Sequence, residues 1–249
     1  MGLGNTASHT IIPFFSSTSP YDPVADFLPI SIINEYVNVL GVHPRIPARN
    51  VRELVALNTS RVGGLTYASS GNGASNHLSA ELLARVANVR MTHVPCKGGA
   101  LALLDVRAGQ VDCMFDTIGT SMPMMKAGTV RAVATTGRTR DPYLPNVPAV
   151  AAFYPGYEAA GFKVVFGPAG MPKAVIDRLN SELATIIRSP EMTEPLTQLY
   201  FNARTGTPCE LAQRVRKDGA HWKALIAAAG SSWIKQGSTS TEMTIAIDI

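Results

Sequence analysis

An alternation of short apolar runs with helical patterns, clearest in residues 91–134, is the feature that most constrains the fold of this chain. The elements predicted there are strands at residues 91–94, 111–115 and 130–134, with helices at residues 99–108 and 118–127. Gly109 and Gly128 follow the two helices, at the position where a left-handed residue commonly ends a helix. The strands are apolar with little alternation, as expected of a sheet that helices cover on both faces. The segment therefore predicts an α/β fold.

Similar signals flank this segment. Further elements are predicted as strands at residues 38–44 and 163–166, and as helices at residues 51–58, 172–188 and 208–229. In the helix at residues 172–188, Pro172 suits the first turn. Apolar residues recur in this helix at four-residue steps and form one face. That face consists of Val175, Leu179, Leu183 and Ile187. Thr207 is expected to cap the last helix, with Pro208 and Glu210 in its first turn.

The composition excludes several classes of protein. Apolar residues make up 46% of the 249 residues and charged residues 16%, which is typical of an ordered globular protein. No apolar run approaches the ~20 residues of a membrane span, and no secretory signal is visible at the N-terminus. The net charge of +4 forms no basic block, so no nucleic-acid partner is expected. Three buried or half-buried thiols, at no metal or redox spacing, are expected at Cys96, Cys113 and Cys209.

The stretch GLTYASSGNGASNHLSAELLARV, residues 64–86, holds the clearest functional signal. A β-prone run opens into a loop of Ser, Gly and Asn, which ends at the first turn of an amphipathic helix. Such a junction binds anions, because the first amides of a helix have no partner within it and carry partial positive charge. The anion can be the phosphate of a cofactor, the oxyanion of a reaction or the carboxylate of a ligand.

A dinucleotide site is the first interpretation, since GNGASN lies between a strand and a helix as the Rossmann fingerprint does. Its sixth position is Asn76, where close packing of helix and strand requires Gly or Ala. The acidic residue expected about 20 residues later is also missing, because no Asp or Glu lies between Glu81 and Asp105. The sequence therefore argues against a dinucleotide.

A nucleophilic serine is the second interpretation, with Ser69 or Ser70 as the nucleophile. Neither serine has the glycine two positions earlier that the G-x-S-x-G turn needs. His77 is too close in sequence to be the usual partner. With Glu81 and Arg85 it falls at four-residue steps, which predicts a solvated helix face with a ladder of ion pairs. In the first helical turn His77 can still border a ligand.

A ligand carboxylate is the third interpretation and explains the loop best. Glycines at 71 and 73 let the backbone approach an anion closely. The side chains that offer hydrogen-bond donors are those of Ser69, Ser70, Asn72 and Ser75. This interpretation needs no residue that the sequence lacks.

Long motifs over about residues 2–230 resemble, in their order, the Bug or tripartite tricarboxylate transporter substrate-binding receptors. They are YDPVADFLPIS, YASSGNGASNHLSAELL, HVPCKGG, LLDVRAGQVDCMFD, LPNVPAV, PGYEAAGFKVVFGPAGMP and WKALIAAAG. The resemblance implies a two-domain type II periplasmic-binding-protein (Venus flytrap) fold without catalytic activity or cofactor. It also implies a periplasmic monomer that binds a tricarboxylate, dicarboxylate, acidic amino acid or aromatic acid and delivers it to a membrane permease.

The resemblance also implies where the ligand binds. The Ser-Gly loop would form one half of a carboxylate pincer on the second domain, with Asp116 and the Asn5–Thr6 loop near the cleft. Asp116 follows a strand and can alternatively cap the next helix, and Lys97 is expected to be solvated. The ligand-binding residues predicted are Ser69, Ser70, Gly71, Asn72, Gly73, Ser75, His77, Asp116, Asn5 and Thr6, and no metal is expected.

The resemblance further implies a signal peptide, a first βα unit and a Pro-Gly-Gly loop, none of which the sequence contains. We therefore expect an N-terminally truncated fold with a discontinuous, weakened domain 1 (residues 1–37 and 159–249) and an intact domain 2 (residues 38–158). Cys96 stands where the family usually has Tyr. Three functions stay open: a carboxylate receptor, a small α/β hydrolase or transferase using Ser69 or Ser70, and a remnant that no longer binds ligand.

Overall fold

The computed structural model describes residues 1–12 and 21–229, which form two β-sheets with helices packed on them. The strands are β1 (Gly2–Asn5), β2 (Phe27–Tyr36), β3 (Asn38–Val42), β4 (Thr66–Ser69), β5 (Thr92–Pro95), β6 (Cys113–Thr117), β7 (Arg131–Thr135), β8 (Gly161–Pro168) and β9 (Asn202–Ala203). The α-helices are α1 (Val51–Ser60), α2 (Ser75–Val86), α3 (Gly99–Arg107), α4 (Ile118–Lys126), α5 (Lys173–Arg188), α6 (Pro190–Gln198) and α7 (Pro208–Ala229). A π-helical turn, Ala7–Ile11, and a 3₁₀ turn, Val150–Ala152, complete the described elements. The predicted α/β fold is confirmed.

The five-stranded sheet has the strand order β5-β4-β6-β3-β7. β4 runs parallel to both β5 and β6, whereas β3 lies antiparallel to both β6 and β7. Its central strands are mostly buried, with Leu40, Tyr67 and Phe115 no more than 1% exposed, whereas the terminal strand β5 is half-buried or exposed. Helices cover this sheet, which explains why the sequence of its strands does not alternate between apolar and polar residues.

The ends of the helices follow the sequence closely. Gly109 and Gly128 adopt φ values of +73° and +70° after α3 and α4. The Gly109 amide donates to the Val106 carbonyl at 3.0 Å and the Gly128 amide to the Met125 carbonyl at 3.1 Å. Both helices therefore end in the left-handed motif predicted for them.

The start of α7 is also as predicted. The Glu210 amide donates to the Thr207 hydroxyl at 3.1 Å, and the Thr207 amide donates to the Glu210 carboxylate at 2.7 Å. These two bonds form a capping box, with Pro208 as the first helical residue. In contrast, Pro172 lies at the N-cap of α5, one residue before the helix begins.

One prediction about burial holds in part and another is wrong. On α5, Ile187 is 2% exposed and Leu179 and Leu183 are half-buried, but Val175 is 45% exposed, so the predicted apolar face is uncovered at its N-terminal end. Among the described elements, β2 and α6 pack most closely on α5. Of the three free thiols, Cys113 is buried and Cys96 is half-buried, whereas Cys209 is exposed on the first turn of α7.

The four-stranded sheet has the order β1-β8-β2-β9, with antiparallel pairing throughout. The chain passes from this sheet to the other at Val37, between β2 and β3, and returns between β7 and β8. The predicted domain limits, residues 37 and 158, fall in these two connections, and the independence of the domains stays a prediction. The last segment, SSWIKQGSTSTEMTIAIDI (residues 231–249), has no clear periodicity in its sequence and lies outside the described residues.

Candidate functional site

The ends of three parallel strands place three loops at one edge of the five-stranded sheet. β4 ends at Ser69, β5 at Pro95 and β6 at Thr117, and each strand is followed by a helix, α2, α3 or α4. Parallel strands present their carboxyl ends on the same side. In open α/β sheets this edge is where ligands bind. We call it the carboxyl edge.

Three helix N-termini meet at the carboxyl edge. Their N-cap residues are Ala74, Gly98 and Thr117, and within the described part of the chain no side chain caps any of them. The first amides of these helices therefore point to the edge without an intrahelical partner. Each N-terminus carries partial positive charge, and Lys97 is exposed on the loop after β5. The edge is therefore suited to an anion.

The Ser-Gly loop, residues 69–75, is held by hydrogen bonds of its own. The Ser69 hydroxyl accepts from the Gly71 amide at 3.1 Å and contacts the His93 Nε2 at 2.7 Å. The Ser70 amide and hydroxyl both lie 3.2 Å from the Asn76 Oδ1, to which they donate. Gly71 and Gly73 have φ values of +137° and +78°, which explains why the loop uses glycine there.

An aromatic stack lies beneath the loop. The His77 and His93 rings are stacked with centroids 4.2 Å apart, and the Tyr67 ring stacks on His93 at 4.9 Å. The Gly73 amide donates to His77 Nδ1 at 3.0 Å. The Tyr67 hydroxyl donates to the Glu81 carboxylate on α2. We call Tyr67, His77 and His93 the ring stack.

Both imidazoles of the ring stack are neutral at pH 7. Burial and the neighbouring His93 lower the pKa of His77 to about 3, and burial lowers the pKa of His93 to about 4. Because Nδ1 of His77 accepts the Gly73 amide, its proton resides on Nε2. Burial raises the pKa of Glu81, an effect that the hydrogen bond from Tyr67 opposes.

The solvated helix face predicted for α2 is therefore wrong. His77 is 4% exposed, and its Nε2 lies 4.0 Å from the Glu81 carboxylate. Only Arg85, at the far end of the predicted ladder, is exposed. The physical reason is that α2 is covered on several sides, because the ring stack packs on one face and Leu78 and Leu82 enter the core on another.

Asp116 lies at the end of β6, on the same edge. Its carboxylate accepts the Thr120 hydroxyl at 2.5 Å and the Ser121 hydroxyl at 3.5 Å, both from α4. It is 8% exposed, and a Cβ at Gly99 would stand 3.8 Å from its Oδ1. Asp116 thus holds two side chains of the first turn of α4 and lies close to the start of α3, while the N-cap position of α4 is occupied by Thr117.

Asn5 and Thr6 stand on the other sheet, at the end of β1. The Asn5 Oδ1 accepts the Ser8 amide at 2.9 Å, and the Ser8 hydroxyl accepts the Asn5 amide at 3.0 Å. The Thr6 hydroxyl is buried and accepts the Phe162 amide of β8 at 2.9 Å. Thr6 therefore joins the start of the π-helical turn to the sheet, whereas Asn5 is exposed.

The remaining predicted residues differ in accessibility. Asn72 is exposed at the tip of the loop, and Ser70 and Ser75 are half-buried. Ser69 is 0% exposed, so its hydroxyl lies behind the loop surface. Lys97 is exposed on the loop after β5, as expected.

Three residues that hold the loop and Asp116 in place are not among those predicted from the sequence: His93, Asn76 and Thr120. Asn76 lies six residues after Ser70 in the same loop–helix junction, so the local spacing could have indicated the hydrogen bonds between them. His93 meets Ser69 only because β4 and β5 pair in parallel, with Tyr67 opposite His93. No spacing rule within one strand reveals such a contact.

Two open cavities are lined by residues outside the three loops of the carboxyl edge. One, of about 410 Å³, is lined by the connection before β8 and by α7, including Arg138, Tyr157 and Trp222. The other, of about 500 Å³, shares Arg138 and Arg214 with it and extends to Glu35. Among the described residues that line them, none belongs to the predicted ligand-binding set.

Across residues 1–12 and 21–229, no three or more His, Cys, Asp or Glu side chains come together in a way that could hold a metal ion. Over the same residues, none of the helices has the length and apolar character needed to cross a bilayer.

Comparison with known proteins gives consistent matches. Residues 1–231 match the family described as "Tripartite tricarboxylate transporter family receptor". A Pseudomonas sp. (strain P51) protein, described as a UPF0065 protein in the tcbD-tcbE intergenic region, is 35% identical over 226 residues, which cover 90% of this chain and 67% of the relative.

Two solved structures extend the comparison. An R. palustris protein solved with adipate has a TM-score of 0.81 and 32% identity, covering 92% of this chain and 77% of its own. MatC from Rhodopseudomonas palustris, solved with bound malate, has a TM-score of 0.77 and 27% identity, covering 90% of this chain and 78% of its own. The resemblance to Bug-type receptors and the expected binding-protein fold are both confirmed.

Proposed function

The chain belongs to the tripartite tricarboxylate transporter family of receptors, and on that premise we propose that it binds a small carboxylate at the carboxyl edge. Members of this family are substrate-binding receptors and not enzymes. The hydrolase alternative is thereby overturned. In physical terms Ser69 is an unsuitable nucleophile, because its hydroxyl is fully buried and engaged by the loop and by His93.

The observation that carries the proposal is the convergence of three uncapped helix N-termini on a loop rich in hydroxyls. The amides at the starts of α2, α3 and α4 offer donors to a carboxylate, and the Ser70 and Ser75 hydroxyls lie half-buried beside them. Hydrogen bonds to a charged acceptor are roughly twice as strong as neutral ones. Dicarboxylates are favoured as the ligand class, since related structures were solved with adipate and malate.

Several finer points belong to the same proposal. Relatives in this family are periplasmic binding proteins, and we place this receptor in the periplasm, as a monomer. We also propose that it delivers its ligand to the membrane permease of a tripartite tricarboxylate transporter. Closure of the two sheets around the ligand would present the loaded form to that permease.

The test is a thermal-shift screen of the purified chain against adipate, malate, succinate, citrate, glutamate, aspartate, nicotinate and benzoate. A ligand at about 100 times its Kd adds about 2.7 kcal/mol to the free energy of unfolding. We expect one or more of these acids to raise the Tm. Ser70→Ala should reduce the shift, because it removes a loop hydroxyl.

Ser60→Ala is the matched control, since Ser60 offers an exposed hydroxyl on α1 that bonds only to the local Leu57 carbonyl. It should leave the shift unchanged. A cooperative melt that no acid shifts would overturn the proposal and leave a remnant that no longer binds ligand. An equal loss in Ser60→Ala and Ser70→Ala would exclude the loop as the site.

A further inference from the structure

The ring stack touches the Ser-Gly loop at two points that are separated along the loop. His93 contacts the Ser69 hydroxyl, where β4 ends, through its Nε2 at 2.7 Å. His77 accepts the amide of Gly73, near the start of α2, at its Nδ1 at 3.0 Å. The two rings are themselves stacked at 4.2 Å. One rigid unit therefore fixes both ends of the loop.

We propose that His77 and His93 are positioning residues, which hold the loop in its binding conformation before a ligand arrives. This inference rests on the proposed function and changes the role predicted for His77, from a ligand contact to a support of the loop. Ordering a loop in advance lowers the entropic cost of binding. The glycines at 71 and 73 would otherwise allow the loop many conformations.

The surroundings of the stack keep the two histidines in the form that this role needs. Tyr67 covers His93 from β4, and the Tyr67 hydroxyl is engaged with Glu81 from α2. Glu81 is the charged group that faces the stack, 4.0 Å from the His77 Nε2. A neutral imidazole can accept the Gly73 amide at Nδ1, whereas an imidazolium cannot.

The test exploits the different reach of Asn and Gln. Asn carries a polar atom where His carries Nδ1, and Gln carries one where His carries Nε2. His77→Asn and His93→Gln should therefore keep the contacts to Gly73 and Ser69, whereas His77→Gln and His93→Asn should lose them. A residue that merely fills space would not distinguish Asn from Gln in this crossed manner.

Two readouts are needed, the carboxylate Kd by calorimetry and the hydrogen exchange of the Gly71 and Gly73 amides in the ligand-free chain. We expect His77→Gln and His93→Asn to raise the Kd about five- to tenfold, which corresponds to the net free energy of one hydrogen bond. The two glycine amides should exchange at least about tenfold faster in these variants. His77→Asn and His93→Gln should recover most of both properties.

His43→Gln is the matched control. The Nδ1 of His43 accepts the Arg45 amide at 3.1 Å, but His43 follows β3 at the opposite edge of the sheet. Its replacement should remove an equivalent bond and leave loop exchange and Kd unchanged. The inference would be overturned if Asn and Gln had equal effects at positions 77 and 93. It would also be overturned if His43→Gln changed loop exchange and Kd as much as His77→Gln does.

A measurement on the unaltered chain covers the case of variants that do not fold. Imidazole ¹⁵N spectra at pH 7 should show His77 neutral, with its proton on Nε2. A protonated ring, or a proton on Nδ1, would overturn the inference. If the unaltered chain binds no acid, the proposed function fails, while amide exchange and the ¹⁵N spectra still decide whether the histidines position the loop.

Discussion

His9 shows how a buried side chain contributes to the response of the protein's stability to pH. It is 6% exposed and stacks on Phe166 with ring centroids 3.9 Å apart. Burial lowers the pKa of His9 to about 4. Between pH 6.5 and about 4 the unfolded chain therefore binds a proton that the folded chain does not. The free energy of unfolding must fall as the pH drops through this window.

His9→Phe should make the stability less sensitive to acid, because phenylalanine can still stack on Phe166 and does not titrate. Between pH 6 and 4.5, we expect the free energy of unfolding of the unaltered chain to fall by about 1 kcal/mol per pH unit more than that of the variant. Urea unfolding at several pH values measures this difference. Parallel curves for the two proteins would contradict the assignment of His9 as a buried, neutral group.

Asp112 is a second side chain with a large predicted effect. It is 1% exposed and accepts hydrogen bonds from the Thr66 amide and hydroxyl at 2.9 Å each. Arg61 and Arg45 lie 3.0 and 3.3 Å from its Oδ1. Burial alone would raise the pKa of Asp112, but the bonds from Thr66 and Arg61 outweigh it and hold the pKa below its usual range.

Asp112→Asn should destabilise the chain by about 1–3 kcal/mol, because it removes charge-assisted bonds and sets an amide NH₂ against the donors. The loss should be fully present at neutral pH and should shrink only once the pH falls below the depressed pKa of Asp112. Urea unfolding over a series of pH values from 7 downward provides the comparison. An equal loss at every pH would show that shape, and not charge, matters at this position.

At the scale of the element, helix ends show which backbone positions require glycine. Gly128 ends α4 at φ +70°, and a Cβ there would meet nothing within 4 Å. Tyr200 takes the equivalent position after α6 at φ +59°, although it carries a large side chain. Its ring packs against Tyr143 with centroids 5.4 Å apart, which is a tertiary contact that Gly128 lacks.

Gly128→Ala should cost about 1–2 kcal/mol, because the left-handed conformation is strained for an L-residue and no contact compensates. Gly128→Asn should cost less, since Asn tolerates this conformation better. Thermal unfolding of both variants measures the difference. No loss in Gly128→Ala would contradict the left-handed end assigned to α4.

At the scale of the whole molecule, the four-stranded sheet has an open edge in the described part of the chain. β1 is the terminal strand of that sheet, and its Leu3 is 80% exposed. A terminal strand offers unpaired backbone groups to other chains. An exposed apolar side chain on such a strand favours edge-to-edge association.

Leu3→Lys should therefore reduce aggregation of the proposed monomer at high protein concentration, since a charged side chain on an edge strand opposes pairing. Light scattering as a function of protein concentration measures the effect. Val62→Lys is a suitable control, because Val62 is fully exposed and lies in the turn between α1 and β4. If both variants lower association equally, net charge and not the β1 edge is responsible.

The sequence by itself determined the features that depend on local geometry. The left-handed ends at Gly109 and Gly128, the capping box at Thr207 and the strand–loop–helix junction after Ser69 all follow from residues within a few positions of one another. Backbone conformation and helix capping act over this range, so they can be read from a single stretch.

Only the tertiary structure decided which groups meet at the carboxyl edge. Ser69 and His93 are 24 residues apart and are joined by the parallel pairing of β4 and β5, which no local pattern encodes. Together with the parallel pairing of β4 and β6, it brings three helix N-termini to one edge. Packing also buries His77, whose helical spacing predicts a solvated position. Burial and long-range pairing depend on the packing of whole elements, and for that reason the supports of the loop became visible only in the folded chain.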